Sequence, residues 1–187
     1  MPSTVPLFAA ALLVSVPVLA TELVPVENFR SVELRGGGMV EVVPGPVEQV
    51  TIVEGSSRFT RMHVEDGSRL VINTCDERCP ANYRLRVQIE SPRVPDLAVD
   101  AGGGMFAERG FAPQSHLNAA VNGGGRIDVR SVDAASVAAA VNGGGELLVR
   151  ARNSLSAAVN GGGHVRYAGN PVTSVAIHGG GAVTRLN

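Results

Sequence analysis

Five Gly-Gly-Gly triplets recur at short, regular intervals in the second half of this chain of 187 residues. They begin at Gly102, Gly123, Gly143, Gly161 and Gly179, so successive starts differ by 21, 20, 18 and 18 residues. Three of them follow the same four residues, Ala-Ala-Val-Asn. A repeat of this length is one supersecondary unit that buries its apolar side only by stacking on its neighbours. The spacing therefore predicts a stack of short β-coils.

Alignment on the triplets predicts two strands per coil, one before the triplet and one after it. Alternate residues of a strand share a face, and equivalent residues of neighbouring strands lie about 4.8 Å apart. The positions predicted to face inward are apolar: Val121, Val141, Val159 and Ile177 before the triplet, and Ile127, Leu147, Val165 and Val183 after it. The predicted core is therefore thin and made of small or β-branched side chains.

The outward positions of the two predicted strands differ in charge. After the triplet they are mostly charged, and we expect a solvated face: Arg126, Asp128, Arg130, Glu146, Leu148, Arg150, His164 and Arg166. Before the triplet they are small and uncharged, and we call the following residues the neutral face: Asn118, Ala120, Ala138, Ala140, Ser156, Ala158 and Ala176. Exposed β-surfaces normally carry charges that prevent association. The neutral face is a candidate interface with a second copy or another partner; the alternative is a low-profile solvated surface.

The glycines and the asparagines before them are predicted to be structural. A tight reversal between strands needs positive φ, which glycine and then asparagine adopt most readily, and stacked asparagines can bond along the coil axis. The turn and ladder residues are Asn122, Gly123, Gly124, Gly125, Asn142, Gly143, Gly144, Gly145, Asn160, Gly161, Gly162, Gly163, Gly179, Gly180 and Gly181. No Lys-Ser/Thr follows a triplet as in a phosphate-binding P-loop. Only Asp128 follows one where a calcium-binding solenoid places a carboxylate in every turn, so we expect no calcium site.

Composition and the N-terminal segment limit the partners and the compartment. Sixteen Lys and Arg against 17 Asp and Glu leave no basic surface for nucleic acid. Residues 1–20 are uncharged and apolar and end in Val18-Leu19-Ala20, which predicts a secretory signal peptide. We expect a linker over 21–28 and one domain over 29–187, with a strand-rich half at 29–95 and the triplet repeats at 96–187. No later segment could span a membrane as a helix.

Cys75 and Cys79 are the only cysteines of the chain. In an exported protein they are expected to form a disulfide that closes a tight loop. A redox motif has two residues between its cysteines and a structural zinc site has four ligands, and neither pattern fits this pair.

Chemistry-bearing residues form no catalytic motif in the sequence. The four histidines, His63, His116, His164 and His178, are dispersed, and none accompanies Ser or Asp in the manner of a triad. Asp96 and Asp100 are close in sequence, but a carboxylate pair would have to be assembled across coils. We therefore predict a protein that is not an enzyme, without cofactor or metal.

Between Phe29 and Arg93 the sequence is strand-like, with alternating or apolar runs at 31–34, 40–43, 50–53, 70–72 and 84–90 separated by turn residues. From its Phe29-Arg30-Ser31-Val32-Glu33-Leu34-Arg35-Gly36-Gly37 opening to its closing repeats, the chain resembles the head GIN domain family of autotransporter adhesin heads. The most specific stretch is Ser154 to Gly163, followed by Val165-Arg166-Tyr167-Ala168-Gly169-Asn170-Pro171 and the last triplet. The family writes the turn as Gly-Ser-Gly, whereas this chain has Gly-Gly-Gly.

The resemblance implies an all-β, right-handed parallel β-helix (solenoid) with short two-strand coils and glycine-rich turns, exported to the periplasm, the outer-membrane surface or the exterior. It implies an adhesin-like binding or structural role without catalytic residues. The expected partner is a protein or a glycan, or a second copy bound through the neutral face. The alternative is a polysaccharide-active enzyme on a pectin-lyase-like solenoid, which needs a concave groove where charged residues of adjacent coils converge.

Overall fold

The computed structural model describes residues 21–186, so the predicted signal peptide lies outside the described residues. Within them the protein is all-β, with sixteen strands and no helix. The first nine strands are β1 (Glu22–Val24), β2 (Ser31–Gly36), β3 (Met39–Pro44), β4 (Gln49–Glu54), β5 (Arg61–Glu65), β6 (Arg69–Asn73), β7 (Arg86–Ser91), β8 (Asp96–Ala101) and β9 (Gly104–Ala107). The rest are β10 (Gln114–Gly123), β11 (Arg126–Asp128), β12 (Ala134–Gly143), β13 (Glu146–Gly161), β14 (His164–Ala168), β15 (Val172–His178) and β16 (Ala182–Arg185).

The strands form two sheets that run along the stack. Sheet A has the order β1-β4-β7-β3-β9-β11-β13-β14-β16, and sheet B has the order β5-β6-β2-β8-β10-β12-β13-β15. Strand β13 begins in sheet A and continues into sheet B. Each coil consists of a sheet B strand, a turn and a sheet A strand, as the triplet alignment predicts.

Neighbouring repeats pair in parallel and in the predicted register. Ala120 lies opposite Ala140, Ala140 opposite Ala158, and Ala158 opposite Ala176. The first triplet is an exception, because Gly123 lies opposite Ala101 and not opposite Gly102. The structural interval at this point is therefore 22 residues, one more than the spacing of the triplets.

The spatial order of the coils differs from the chain order. Strands β2 and β3 form a coil that lies between β6/β7 on one side and β8/β9 on the other. Gly36 lies opposite Ala101, so the early glycines at 36–38 form a turn in the same column as the later triplets. The repeat predicted from the sequence does not include these glycines, because the coil next to them at Ala101 is distant in the chain.

Antiparallel strands cover the first end of the stack and depart from the uniformly parallel arrangement that the resemblance implies. In sheet A, β4 pairs antiparallel with β7, and β1 with β4; in sheet B, β5 pairs antiparallel with β6. The expected linker at 21–28 therefore contains strand β1. It is ordered by backbone pairing, and the Glu22 carboxylate accepts a hydrogen bond from the Ser57 amide at 3.0 Å.

The core lies between the two sheets and is made of the predicted inward columns. Val121, Val141, Val159, Leu147 and Val165 are fully buried. In the last coil the inward column is only partly covered, and 43% of Ile177 is exposed. Burial thus depends on a neighbouring coil, as expected for stacked repeats.

Gly143 provides a test of the turn column, the stack of glycine turns that join the sheet B and sheet A strands. Its φ is +119°, and a Cβ built there would lie 2.7 Å from the Gly123 carbonyl oxygen. At Gly144 nothing lies within 4 Å and φ is outside the left-handed region. We expect Gly143→Ala to lower the free energy of unfolding by about 2 kcal/mol or more, and Gly144→Ala to change it by less than about 0.5 kcal/mol. Urea unfolding compares the two; equal losses would contradict the role of the turn column.

Ala101 is an alanine at a position where the neighbouring coils have glycine. It adopts φ = 75°, where the equivalent residue in the other triplet coils is glycine. A left-handed alanine costs about 1–2 kcal/mol, and glycine loses about 0.5–1 kcal/mol of chain entropy on folding. We therefore expect Ala101→Gly to raise the free energy of unfolding by up to about 1 kcal/mol, measured by urea unfolding. A decrease would show that Ala101 is not strained.

Candidate functional site

The neutral face lies on the outer side of sheet B, where its seven residues come from four adjacent strands. Six of the seven line a shallow groove of about 400 Å³: Asn118, Ala120, Ala138, Ala140, Ser156 and Ala158. Ala120, Ala140 and Ala158 are half-buried at its floor. Alternation along β10, β12 and β13 places these alanines outward because their neighbours in the chain fill the core. The structure thus brings the predicted face together as one contiguous surface.

Three outward rows run along this surface, parallel to the stack axis. We call them the alanine row, the asparagine row and the mixed row. The alanine row is Ala98, Ala120, Ala140, Ala158 and Ala176. The asparagine row is Asp100, Asn122, Asn142, Asn160 and His178. The mixed row is Asp96, Asn118, Ala138, Ser156 and Ser174.

Hydrogen bonds along the rows fix the polar borders of the alanine row. Asn142 Nδ2 donates to Asn122 Oδ1 at 3.0 Å, and Asn160 Nδ2 donates to Asn142 Oδ1 at 2.9 Å. In the mixed row Asn118 Nδ2 donates to Asp96 Oδ2 at 2.9 Å. The alanine row is therefore a trough with a hydrogen-bonded asparagine ladder on one side and the mixed row on the other. Asn122, Asn142 and Asn160 thus form a hydrogen-bonded ladder along the stack.

A cluster of charges closes the groove at the side of the first coils. Arg35 pairs with Glu33 at 2.7 Å and with Glu65 at 3.3 Å, and Arg69 pairs with Glu65 at 3.1 Å. Val71 points outward between these side chains and is nevertheless fully buried. The long side chains cover the apolar residue with their stems. Asp96 and Asp100 on β8 are the first charges next to the neutral face, and the ion-paired cluster begins at strand β2.

The outer side of sheet A carries the predicted charged face, with one correction. Arg126 and Arg166 both pair with Glu146, the latter at 3.2 Å. Leu148, expected to be solvated with its column, is only 2% exposed. It lies opposite both Asp128 and Arg166 in the ladder and two residues from Glu146, so the paired charges around it cover it. An outward apolar residue can therefore be buried beneath an ion-pair network.

A second, polar groove of about 1020 Å³ lies on the same side of sheet A. Charged residues from three neighbouring coils line it: Glu108, Arg109, Asp128, Arg130, Asp133 and Arg150. Most of these charges are already paired. Arg130 binds Asp128 at 2.6 Å, and Arg150 lies 3.6 Å from Asp133 and donates from Nε to the Arg130 carbonyl at 2.9 Å. The sequence analysis did not find this groove, because its members come from different repeats.

Two carboxyls on this side of the fold have shifted pKa values, Asp128 in the groove and Glu41 beside its Glu108. Burial raises the pKa of Glu41, the nearby Glu108 carboxyl raises it further, and Arg86 opposes the shift. Burial alone would raise the pKa of Asp128, but hydrogen bonds from Arg130 to its carboxylate outweigh burial and lower that pKa below the usual value. Glu41 therefore retains its proton more readily than an ordinary carboxyl, and Asp128 gives it up more readily.

The two cysteines are joined by a disulfide, with Cα atoms 5.9 Å apart. They lie in the connection between β6 and β7, where the other coils turn through glycines. Nearby, the Tyr83 hydroxyl accepts a hydrogen bond from the Ser56 amide at 3.0 Å and lies 2.7 Å from the Thr60 hydroxyl. The bridged loop thus belongs to the first coil, far along the stack from the neutral face.

The histidines remain apart in the fold. His63 lies 3.0 Å from Glu65, while His116, His164 and His178 are exposed on different strands. Among residues 21–186, no three His, Cys, Asp or Glu side chains are grouped as a metal ion requires. The part of the chain that the structure describes also contains no helix that could cross a membrane.

Comparison with protein families matches residues 100–171 to the family described as "Putative auto-transporter adhesin, head GIN domain". This match covers 72 of the 187 residues. The resemblance drawn from the sequence is confirmed for this segment, which contains the neutral face from Asn118 to Ala158. Comparison with curated proteins finds no match.

Solved structures share the fold over most of the chain. A protein described as "a putative adhesin", from Bacteroides fragilis, has a TM-score of 0.54 and 19% identity, and covers 89% of this chain and 96% of its own. A "putative lipid binding protein" from Parabacteroides distasonis has a TM-score of 0.44 and 16% identity, and covers 90% and 96%. At these identities the first match shows the fold alone, and the second carries no further conclusion.

Asp128 provides a test of the charged face through pH. Its folded pKa is below the unfolded value of about 3.9, so its pairing stabilises the fold above that pH, and the contribution is lost as pH falls through the folded pKa. We expect Asp128→Asn to lower the free energy of unfolding by about 1 kcal/mol at pH 7 and to have little effect at pH 2. Urea unfolding at both pH values measures this.

The matched control for Asp128 is Asp66→Asn. The Asp66 side chain is 83% exposed and pairs with Arg69 in water, so its loss should cost less than about 0.5 kcal/mol at either pH. If Asp128→Asn has the same small effect at pH 7, the ion pair does not stabilise the charged face.

Proposed function

We propose that this protein is a non-enzymatic, exported module of the adhesin type that binds its partner through the neutral face. The observation that carries the proposal is the groove on sheet B, which is floored by alanines, bordered on one side by hydrogen-bonded asparagines and lined by uncharged residues on β10, β12 and β13. The match of residues 100–171 to the head GIN domain family supports it. The sequence predicts either a binding module or a polysaccharide-active enzyme. Binding of a protein or a glycan surface at this groove requires no catalytic group.

The scaffold of this module is, in our proposal, a right-handed parallel β-solenoid closed at its first end by the antiparallel strands. The parallel pairing of successive coils supports it, because crossover connections between parallel strands in one sheet are right-handed in nearly all cases. In this proposal residues 1–20 direct export and are then removed, which leaves the mature chain in the cell envelope or outside the cell.

Flatness explains how such a face can bind without a deep pocket. Small side chains let a partner surface approach the backbone closely, and exclusion of water from the alanine row favours contact in proportion to the apolar area buried. The hydrogen-bonded amides at the borders are held in place before binding, so little side-chain entropy is lost there.

Ala140 lies at the centre of the neutral face and provides the test. We expect Ala140→Lys to reduce adhesion of the mature protein to cells, matrix proteins or glycans at least ten-fold, because the new ammonium group must be desolvated. The control is Thr184→Lys, an exposed position on sheet A, which should bind as the parent does. Adhesion is measured on immobilised protein; equal binding by both variants would contradict the proposal.

A second candidate function, a polysaccharide-active enzyme, is favoured by one observation. The polar groove of sheet A is concave, and Glu108, Arg109 and Asp128 converge in it from adjacent coils. Release of reducing ends from a panel of acidic polysaccharides, lost in Glu108→Gln, would support this function in place of the first.

A further inference from the structure

In each of the three rows of sheet B, the residues on one side of β12 are complementary to the residues on the other side. The alanine row is uniform. The asparagine row reads Asp, Asn, Asn, Asn, His, with an acid at one end and a base at the other. The mixed row reads Asp, Asn, Ala, Ser, Ser, with a hydrogen-bond acceptor at one end and a hydroxyl at the other. A surface with this symmetry can be complementary to itself.

A two-fold axis parallel to β12 would place each row against the same row of a second copy, in reversed order. Ala140 then faces its own copy, and Ala120 faces Ala158. The asparagine row pairs Asn122 with Asn160 and Asp100 with His178. All uncharged polar groups meet hydrogen-bonding groups, and apolar groups meet apolar ones. This is the self-complementarity that a two-fold interface requires.

A two-fold axis along the stack and centred on the alanine row is unfavourable. It would place the asparagine row against the mixed row in the same coil. Asp100 would then face Asp96, and like charges at an interface destabilise it. The distribution of charge therefore selects the axis parallel to β12.

Asp100 and His178 are both available for such a pair. Both are exposed, and neither forms an ion pair within the described residues. Arg35 is the ladder neighbour of Asp100, but its guanidinium group is bound to Glu33 and Glu65. On the other side each of the two residues has an uncharged asparagine neighbour, Asn122 or Asn160.

The charged cluster lies outside the paired area. In the reversed alignment the strands from β8 to β15 face one another, and β2 with Glu33 and Arg35 extends beyond the last coil of the partner. These charges would thus stay in water and pay no desolvation cost. The ion-paired cluster thus begins at β2, where the contact would end.

The size of the contact is that of a weak but specific interface. Five strands at about 4.8 Å and three rows at about 6.6 Å give roughly 24 by 20 Å, or roughly 1,000 Å² for the two copies together. Specific interfaces begin at about this area. A dimer of moderate affinity is therefore expected.

We propose that the partner of the neutral face is a second copy of this chain, bound about a two-fold axis parallel to β12 with Asp100 paired to His178 at both ends. The inference rests on the proposed function, in which the neutral face is the binding surface, and it makes adhesion by this protein homotypic. Copies on adjacent surfaces would hold those surfaces together.

Charge exchange between two variants tests this symmetry. Asp100→Lys and His178→Glu should each weaken the dimer about ten-fold or more, because both ends of the contact lose attraction. In an equimolar mixture the two variants should form a mixed dimer close to the parent in affinity, because Lys at 100 then faces Glu at 178 and His178 faces Asp100. Sedimentation equilibrium over a concentration series measures the three affinities. Thermal unfolding confirms that both exposed variants remain folded.

The outcomes separate the inference from the proposed function. A mixture that dimerises when neither variant does supports the two-fold arrangement. A parent protein that is monomeric at all concentrations, or a mixture without rescue, overturns it. If the monomer still binds cells or glycans and Ala140→Lys abolishes that binding, the proposed function stands without the inference. If Ala140→Lys affects neither self-association nor adhesion, both are wrong.

Discussion

The close approach of backbones in the turn column determines the rest of this structure. The Gly144 amide donates to the Gly123 carbonyl at 3.0 Å, and the Glu146 amide to the Gly125 carbonyl at 3.0 Å. These bonds fix the position of each turn on the preceding one, and both sheets leave the turn in register. The straight outward rows follow from that register, since a slip of one residue would exchange the inward and outward sides of a strand.

The two sheets use this common register in different ways. On sheet A, and on sheet B near the first coils, ion pairs connect neighbouring strands and bury outward apolar residues, Leu148 in one case and Val71 in the other. Between β8 and β15 the outward residues of sheet B are short and reach only their row neighbours. A surface of this kind has no side chains long enough to cover it, so only another molecule can remove its alanines from water.

The repeat half of the fold could be predicted from the sequence because its contacts are between equivalent positions. Alignment on the triplets is enough to predict inward columns such as Val121, Val141 and Val159, and also the neutral face. The strand positions of the first half could also be predicted from alternation. Its connectivity could not, because β2 and β3 pair with β8 and β9 across more than fifty residues, and no local pattern encodes that choice.

Two other features were beyond the sequence for physical reasons. Ala101 occupies a position with positive φ although alanine rarely adopts it, so alignment on the glycines placed the first turn one residue late. The polar groove brings together Glu108, Asp128 and Asp133, whose separations in the chain match no motif. In both cases the arrangement depends on contacts between coils, which the local sequence does not encode.

The difference between the two ends of the stack bears on how copies can associate. At the first end, strand β5 presents Arg61, His63 and Glu65 outward and pairs antiparallel with β6. At the other end, strand β15 presents a parallel ladder with Val175 and Ile177 partly exposed. Contact between unlike ends would be head-to-tail and would extend without limit. The charged antiparallel strand opposes it, whereas a two-fold contact through the neutral face is complete with two copies.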